Sequence, residues 1–359
     1  PMVANHGLGD ALDRRVKVMI DGRTVNSPIW GDTRWTNLPI RVDDLERIEV
    51  VRGPNGAAFG VNAFQGVINL ITRMPGSEKG TRLITRAGLD GFFDVGVRLN
   101  QRTESQIDWR LTASRRAAVN FKPHFEEGMG WHSKEAVAHN VFNFDASTWL
   151  TSQDELRLLV GGSDSDSRMG KETDLMFPPH KQYERAYYLA LEWAHTFDPE
   201  SQLSVQYQLQ RERVRSGYEL IYDLGNNQFY PLQVNHDRDA QRHDLEMQFS
   251  KRLNNNWRMM LGAGVTNETA KSERFFSGKG TVGGTSRQIF GSLTWQPNAK
   301  IAVDAGGTYE WHHYSDSLFS PRLAVNYALS PEQSLRAATG VSYRAPSLME
   351  SHAFEAIRV

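Results

Sequence analysis

The sequence predicts an all-β transmembrane antiparallel barrel preceded by a small α+β domain. Three observations carry this reading. Side-chain polarity alternates with period 2 after Gly80, the connections alternate between short and long, and aromatic residues gather near strand ends.

Residues 1–75 mix element types. Val16-Lys17-Val18-Met19-Ile20 reads as a strand and Asp21-Gly22-Arg23 as the turn after it. Pro39 to Leu45 leads through a short helical turn into a strand at 47–51. Gly53-Pro54-Asn55-Gly56 is a loop, and 66–72 is another strand. Pro75-Gly76-Ser77 breaks the pattern, so the expected domains are 1–75 and 76–359.

Beyond that break, Ile107, Trp109, Leu111 and Ala113 alternate with Asp108, Arg110, Thr112 and Ser114. Leu203, Val205, Tyr207 and Leu209 alternate with Ser204, Gln206, Gln208 and Gln210, and Leu245, Met247 and Phe249 with Glu246, Gln248 and Ser250. Leu335, Ala337, Val341 and Tyr343 share one face, with Arg336, Ser342 and Arg344 on the other. A pleated strand places such sets on one side and a helix does not. About 13 such strands are expected, each roughly ten residues or slightly longer, the length that crosses a bilayer at a tilt. Short turns fall at 102–105, 152–154, 198–201, 254–256, 296–299 and 330–333. Long loops are expected at 118–137, 164–184, 217–239 and 271–286, with a tight hairpin at 88–91 on the same side. Trp109, Trp149, Trp193, Trp257, Trp295 and Tyr327 lie beside the short turns, and Tyr187, Trp311 and Tyr343 toward the opposite ends. Two aromatic belts are what two membrane interfaces require.

Composition sets outer limits. The formal net charge is −1, from 41 basic and 42 acidic residues, so no nucleic-acid partner is indicated. No apolar run is long enough for a transmembrane helix, which a barrel does not need. The absence of cysteine excludes disulfides and thiolate metal sites. Pro1 to His6 do not form a signal peptide, so the start reads as a cut end.

Two strings go further. Glu46-Arg47-Ile48-Glu49-Val50-Val51-Arg52-Gly53-Pro54, then Gly60-Val61-Asn62-Ala63 and Gly66-Val67-Ile68-Asn69-Leu70-Ile71-Thr72-Arg73, closely resemble the second half of the plug domain of TonB-dependent outer-membrane receptors. Phe319-Ser320-Pro321-Arg322-Leu323-Ala324, followed by Ser342-Tyr343-Arg344-Ala345-Pro346-Ser347-Leu348, is similar to the barrel signature of the same receptors, in which aromatic-Arg-Ala-Pro-Ser closes a strand. The resemblance implies a barrel of about 22 strands with a plug in its lumen. Residues 1–75 are then expected to be the C-terminal part of the plug and 76–359 the N-terminal part of the barrel. An odd strand count does not close an antiparallel bacterial barrel. The chain is therefore read as an internal fragment, with about nine strands to follow Val359. The front of the plug and the energy-coupling box are expected before Pro1, so the fragment alone is not expected to transport.

The function implied is TonB-dependent active import of a scarce nutrient across the bacterial outer membrane, a ferric siderophore first. Haem or cobalamin uptake, or a signal-transducing receptor, are the alternatives. The implied partners are the TonB energy-coupling protein, a small ferric ligand and outer-membrane lipid. No cofactor, catalytic residue or metal site is expected. The rivals are weaker: a wall enzyme needs a nucleophile and base on adjacent strands, which the sequence does not reveal, and a passive porin has no plug.

The resemblance also implies residue roles. Arg47, Gly53, Pro54, Gly60, Asn62 and Gly66 fall in the plug motif, and Arg344 and Pro346 in the barrel motif. Arg52 matches the arginine that pairs with barrel carboxylates and locks the plug. Glu49 is grouped with it, or pairs with Arg47 or Arg52 inside the plug. The glycines are expected at tight turns or close packing against the wall. Tyr218, Tyr222, Phe229 and Tyr230 make one external loop aromatic, suited to a flat amphipathic ligand or to packing that loop on its neighbours. His352 follows the barrel motif, where haem receptors often place a ligating histidine; His124, His132, His139, His180, His236 and His312-His313 fall in or near external loops. Solvated loop histidines are the simpler reading.

Overall fold

The computed structural model describes residues 14–60, 62–89, 91–104, 106–119, 136–170, 177–223 and 229–354. The first domain holds a four-stranded sheet made of β1 (Val16–Ile20), β2 (Arg23–Thr24), β3 (Leu45–Arg52) and β4 (Gly66–Thr72), in the order β2-β1-β4-β3. Asp21 (φ 49°) and Gly22 (φ 78°) join β1 to β2. Both angles are positive, as a two-residue hairpin turn of Asp-Gly type requires. The Asp21 carboxylate accepts from Thr72 N at 2.8 Å and Thr72 Oγ1 at 2.9 Å, tying the turn to the end of β4. β1 and β4 pair in parallel and bury Val16, Val18, Ile20, Val67 and Leu70. α1 (Gly56–Phe59) is a single turn between β3 and β4.

The second domain is a wall of antiparallel strands. They are β5 (Gly80–Ala87), β6 (Phe93–Arg102), β7 (Asp108–Val119), β8 (Ala136–Trp149), β9 (Asp154–Met169), β10 (His180–Asp198), β11 (Ser201–Asp223), β12 (Phe229–Asn235), β13 (Arg238–Asn254), β14 (Trp257–Lys271), β15 (Thr281–Asn298), β16 (Ile301–Trp311), β17 (Leu318–Ser330) and β18 (Gln333–Gly340). Thirteen of them pair in chain order, which is the expected count; β12 pairs only with the far end of β11. The sheet is open, with β5 and β18 as its edges. α2 (Leu348–His352) follows the last strand and carries a capping box between Ser347 and Glu350. No helix among the described residues is long and apolar enough to cross a membrane.

The faces of the wall follow the alternation in the sequence. Leu245, Met247, Leu261, Val265, Ile289, Leu293, Leu323 and Val325 point outward and are exposed, while Arg98, Thr112, Asp145 and Arg157 on the inner face are buried against the first domain. Trp257 and Trp295 are register partners near the short turns and stack at 5.8 Å.

Three expectations need correction. The strands are longer than ten residues: β9 has 16, β10 has 19 and β11 has 23. Much of the expected loops 164–184 and 217–239 is therefore paired strand, and β15 begins at Thr281 within the expected loop 271–286. The far halves of these strands keep their hydrogen bonds but lose outward apolar residues, so the pattern that identifies a strand fades. Finally, β18 stops at Gly340, and residues 341–347 leave the sheet. Val341 still donates to the Pro321 carbonyl, but Ser342, Tyr343 and Ala345 bond to the first domain, as described below.

Candidate functional site

The candidate functional region is the contact between the small domain and the inner wall, and it has two sides of different chemistry. On one side the contacts are ionic. Arg41, in the turn before β3, donates to both carboxylate oxygens of Asp94 on β6, at 2.8 and 3.1 Å. Asp94 is 1% exposed and Arg41 3%. This fork-to-fork geometry is the strongest form of such a pair. Gly96 makes room for it, since a Cβ there would lie 2.8 Å from Arg41 Cζ. Arg86 on β5 donates to Asp94 at 2.9 Å and to Asp43 at 2.5 Å. The Arg86 bonds, helped by Arg41 and opposed by burial, hold the Asp43 carboxyl at about 2. Arg98 on β6 donates to Asp44 at 3.1 Å and to the Asp43 carbonyl at 3.0 Å.

A second ionic group lies farther along. Asp145 on β8 accepts from Arg110 at 3.1 Å and from Arg157 at 3.0 and 2.9 Å. Arg110 also donates to the Arg73 carbonyl, and Arg157 lies 3.8 Å from Asp21. Asn143 and Ser163 donate to the carbonyls of Pro39 and Asn37, and Arg34 pairs with Glu184 at 3.3 Å. Arg23 stands 3.7 Å over the Tyr188 ring.

On the other side the direct contacts are mostly uncharged hydrogen bonds and close packing, beside a cavity with charged walls, with the Arg14–Glu350 pair at 2.7 Å as an exception. α1 packs on β15, β16 and β17 through Gly56, where a Cβ would come within 2.8 Å of Ser320 Oγ and Ser342 Oγ. Thr308 and Ser342 donate to the carbonyls of Ala57 and Ala63. Asn62 (φ 74°) donates its N–H to the Tyr343 carbonyl at 3.0 Å and accepts from Ala345 N at 3.0 Å. Beside these contacts is a cavity of about 320 Å³ lined by Lys17, Arg242, Asp244, Glu246, Gln288 and Glu310, among others. The Lys17 ammonium donates to the Phe59 carbonyl at 2.5 Å; burial lowers its pKa, opposed by Glu246 and Glu310.

The structure thus brings the two sequence motifs together, Asn62 of one on Tyr343 and Ala345 of the other. Gly60 packs where a Cβ would meet Gln288 Oε1 at 2.9 Å, and Gly66 where it would meet the Val51 carbonyl at 2.6 Å. Gly53 (φ 83°) has open space and is needed for its turn, before Pro54. Arg344 pairs with Glu350 at 2.6 Å, and Pro346 leads into the Ser347 cap of α2. Arg47 and Glu49 pair with each other at 2.8 Å on exposed β3. Arg52 is exposed on the same edge strand and makes no ion pair among the described residues. The ion pairs that do join the two domains involve Arg14, Asp21, Arg34, Arg41, Asp43 and Asp44, which the motifs did not single out. Their signal was available as arginines and aspartates at inward-phase positions 94, 98, 110, 145 and 157.

At the far end of the wall, Tyr218 stacks on His180 at 4.3 Å and meets Phe177 and His236 edge-on. His236 stacks on Phe275, which meets Trp30 of the small domain at 5.2 Å. Ile29 beside it is buried under Phe275, Phe276 and Leu348. Tyr230 is exposed, while the side chains of Tyr222 and Phe229, and the whole of His124 and His132, lie outside the described residues. His352 packs edge-on against Tyr314 at 4.9 Å. No group of three or more His, Cys, Asp or Glu residues able to hold a metal occurs among the described residues.

The sequence matches the family model for the TonB-dependent receptor-like β-barrel over residues 83–355 and that for the TonB-dependent receptor plug domain over residues 2–67. It is 25% identical to a ferric enterobactin receptor of Pseudomonas aeruginosa, over 93% of this chain and 52% of the relative. A shorter match, 34% identical over 26% of this chain and 16% of the relative, is to the vitamin B12 transporter BtuB of Photobacterium profundum. Among solved structures, the siderophore receptor PirA of Acinetobacter baumannii superposes with a TM-score of 0.75 at 16% identity, covering 93% of this chain and 54% of that one. The ferric enterobactin receptor of Pseudomonas aeruginosa superposes with a TM-score of 0.73 at 16% identity, covering 94% and 55%. These superpositions establish the fold, and the chain spans about half the length of the curated relatives it matches. A plug sheet seated on a meander of strands, with both family models matching in order, means that the chain belongs to the TonB-dependent receptors.

Proposed function

We propose that the protein to which this chain belongs imports a ferric siderophore across the bacterial outer membrane, driven by the TonB energy-coupling protein. The observation that carries the proposal is a plug held to the wall by buried ion pairs on one side and mainly by uncharged hydrogen bonds beside a charged cavity on the other. A passive pore has no need of such a plug. The ferric-chelate cargo is supported by the ferric enterobactin receptor matched over 93% of the chain. In this reading the wall spans the membrane, the external ends of the strands receive the ligand, and Tyr218, Tyr230 and Trp30 line the approach to the plug. Cobalamin is the second reading, favoured by the local match to a vitamin B12 transporter. Haem uptake through His352 and a signalling role remain alternatives without a specific contact in their favour.

The test is tryptophan quenching of the full-length purified receptor, titrated in parallel with a ferric catecholate, a ferric hydroxamate, haem and cobalamin. Saturable quenching by one ferric chelate alone is expected. Quenching by cobalamin or haem alone overturns the cargo, and silence from all four overturns the siderophore reading while leaving the family membership intact.

A further inference from the structure

After β18 the chain leaves the sheet and crosses the plug, and this segment joins three parts of the molecule that are far apart in sequence. At its start Ser342 donates to the Ala63 carbonyl at 2.9 Å, the Tyr343 carbonyl accepts from Asn62 N at 3.0 Å, and Ala345 N donates to Asn62 Oδ1 at 3.0 Å. Farther on, Leu348 N and Met349 N in the first turn of α2 donate to the Pro28 and Ile29 carbonyls, at 3.2 and 2.9 Å. Glu350 pairs with Arg14 of the plug at 2.7 Å and with Arg344 at 2.6 Å. At its end the segment turns to the loop between β14 and β15. Phe354 N donates to the Phe275 carbonyl at 3.0 Å, Ser277 N donates to the Phe354 carbonyl at 3.1 Å, and the Lys279 ammonium donates to the His352 carbonyl at 2.9 Å.

The same loop is seated on the tip of the plug. Ile29 and Leu348 are fully buried beneath Phe275 and Phe276, and Trp30 meets Phe275 edge-on. The tip is braced from within. The Asn26 amide accepts from Val18 N and donates to the Val16 and Gly31 carbonyls, so the turn at 27–31 moves with β1. Little slack lies between the two ends of the segment. Only Pro346 separates the bonds at Asn62 from the Ser347 cap of α2, its ring fixes φ, and the capping box sets the entry to the helix. A displacement at Asn62 is therefore handed on to α2 rather than absorbed.

We propose that residues 342–354 are a strap that makes loop 272–280 a lid whose state follows the plug. While the strap is bonded to Asn62 and Ala63, the loop is held down over Ile29. When the 56–63 side parts from the wall, the strap loses its footing and the loop rises. The proposal rests on the plug-and-wall reading given above but not on the identity of the cargo.

The test is hydrogen exchange of the full-length purified receptor, read at Ser277 and Phe354. N62G/S342A removes both side-chain bonds at the start of the strap, and glycine keeps the positive φ of 74° that Asn62 adopts. Exchange at Ser277 and Phe354 is expected to quicken about tenfold, the scale of two lost neutral hydrogen bonds, although both substitutions lie outside the loop. Glu350→Gln keeps the capping box but loses both charge pairs, and is expected to give a smaller rise. Coupling is reciprocal, so Phe276→Ala in the loop is expected to quicken exchange at Asn62. Amides 39–45, on the ionic side, are expected to keep their wild-type rates in all three variants, which reports that plug and wall are folded. Unchanged exchange at Ser277 and Phe354 in both N62G/S342A and Glu350→Gln overturns the proposal. So does an Asn62 that ignores Phe276→Ala, or a rise that extends equally to 39–45. Cargo quenching is a separate measurement, so the loss of the strap leaves the import reading standing.

Discussion

The two sides of the plug differ in what it takes to part them from the wall. Toward β5–β10 the contact is built from buried guanidinium–carboxylate pairs centred on Asp94, and from Arg110 and Arg157, which Asp145 holds within the wall and which reach the Arg73 carbonyl and Asp21 of the plug. Toward β15–β17 it is built from a close-packed glycine, serine and threonine hydroxyls on carbonyls, and the Asn62 bonds, with the cavity alongside. Removing one member of a buried ion pair strands the other charge in a poor solvent, whereas a neutral hydrogen bond lost beside a polar cavity leaves groups that solvent can reach. The difference teaches that the plug has a fixed side and a yielding side. A pull on it is expected to open the β15–β17 side first. Hydrogen exchange of the full-length receptor under mild denaturant checks this: 56–63 should exchange before 39–45, and the reverse order breaks the comparison.

Asp94→Ala is expected to have the largest effect. It leaves Arg41 buried without its forked partner, at a cost of about 3–5 kcal/mol. A lower denaturant midpoint for the plug, with faster exchange at 39–45, is the expected readout; an unchanged midpoint would mean that the fixed side is not held by charge. Asp145→Ala strips the partner from Arg110 and Arg157 at once and is expected to fall in the same range or just below it. On the yielding side, Gly56→Ala forces a methyl to within 2.8 Å of two serine oxygens. It should cost about 1–3 kcal/mol through overpacking, partly recovered in G56A/S320G. The same loss without recovery would place its origin in the α1 backbone instead.

A smaller effect depends on pH. Asp43 is held at about 2, below its ordinary 3.8, by Arg86 first and Arg41 second. A depressed carboxyl contributes stability that is complete above its unfolded pKa and is lost as pH falls through the folded one. The stability gap between wild type and Asp43→Asn should therefore be constant above about pH 4 and close between about pH 4 and 2. A gap that persists at pH 2 would remove the charge interpretation. Arg47→Ala, which breaks an exposed pair with Glu49 on β3, is expected to leave the midpoint within error of wild type.

Much of the wall is legible in the sequence because a strand between lipid and lumen must alternate. Leu245, Met247 and Phe249 against Glu246, Gln248 and Ser250 fix both the strand and its facing. The turns are legible for a local reason: Asp198 and Asn254 accept from N–H groups two residues on, and those bonds need no distant partner. The far halves of β9, β10 and β11 were hidden because beyond Tyr187 and Leu209 the outward face is charged, like a loop. The ionic side of the plug was hidden for a different reason. Arg41 and Asp94 are 53 residues apart, Arg157 and Thr72 are 85 apart, and single-strand periodicity shows which residues face inward but not which of them meet. Arg52 and Asn62 drew attention through the motif that contains them. The structure gives Asn62 two bonds to the barrel motif and leaves Arg52 at an exposed edge.

The register of β11 has a consequence for how such a wall is assembled. Gln206, Gln208, Gln210 and Glu212 face inward, with Val205, Tyr207 and Leu209 between them facing out. Sliding β11 by one residue against β10 would exchange the two sets and turn amides toward the apolar outward side. Each such group costs kilocalories in an apolar surrounding, so the slipped register is disfavoured wherever the outward face meets one. In this sense the polar inner face of the wall, besides meeting the plug, fixes the register of the strands that carry it.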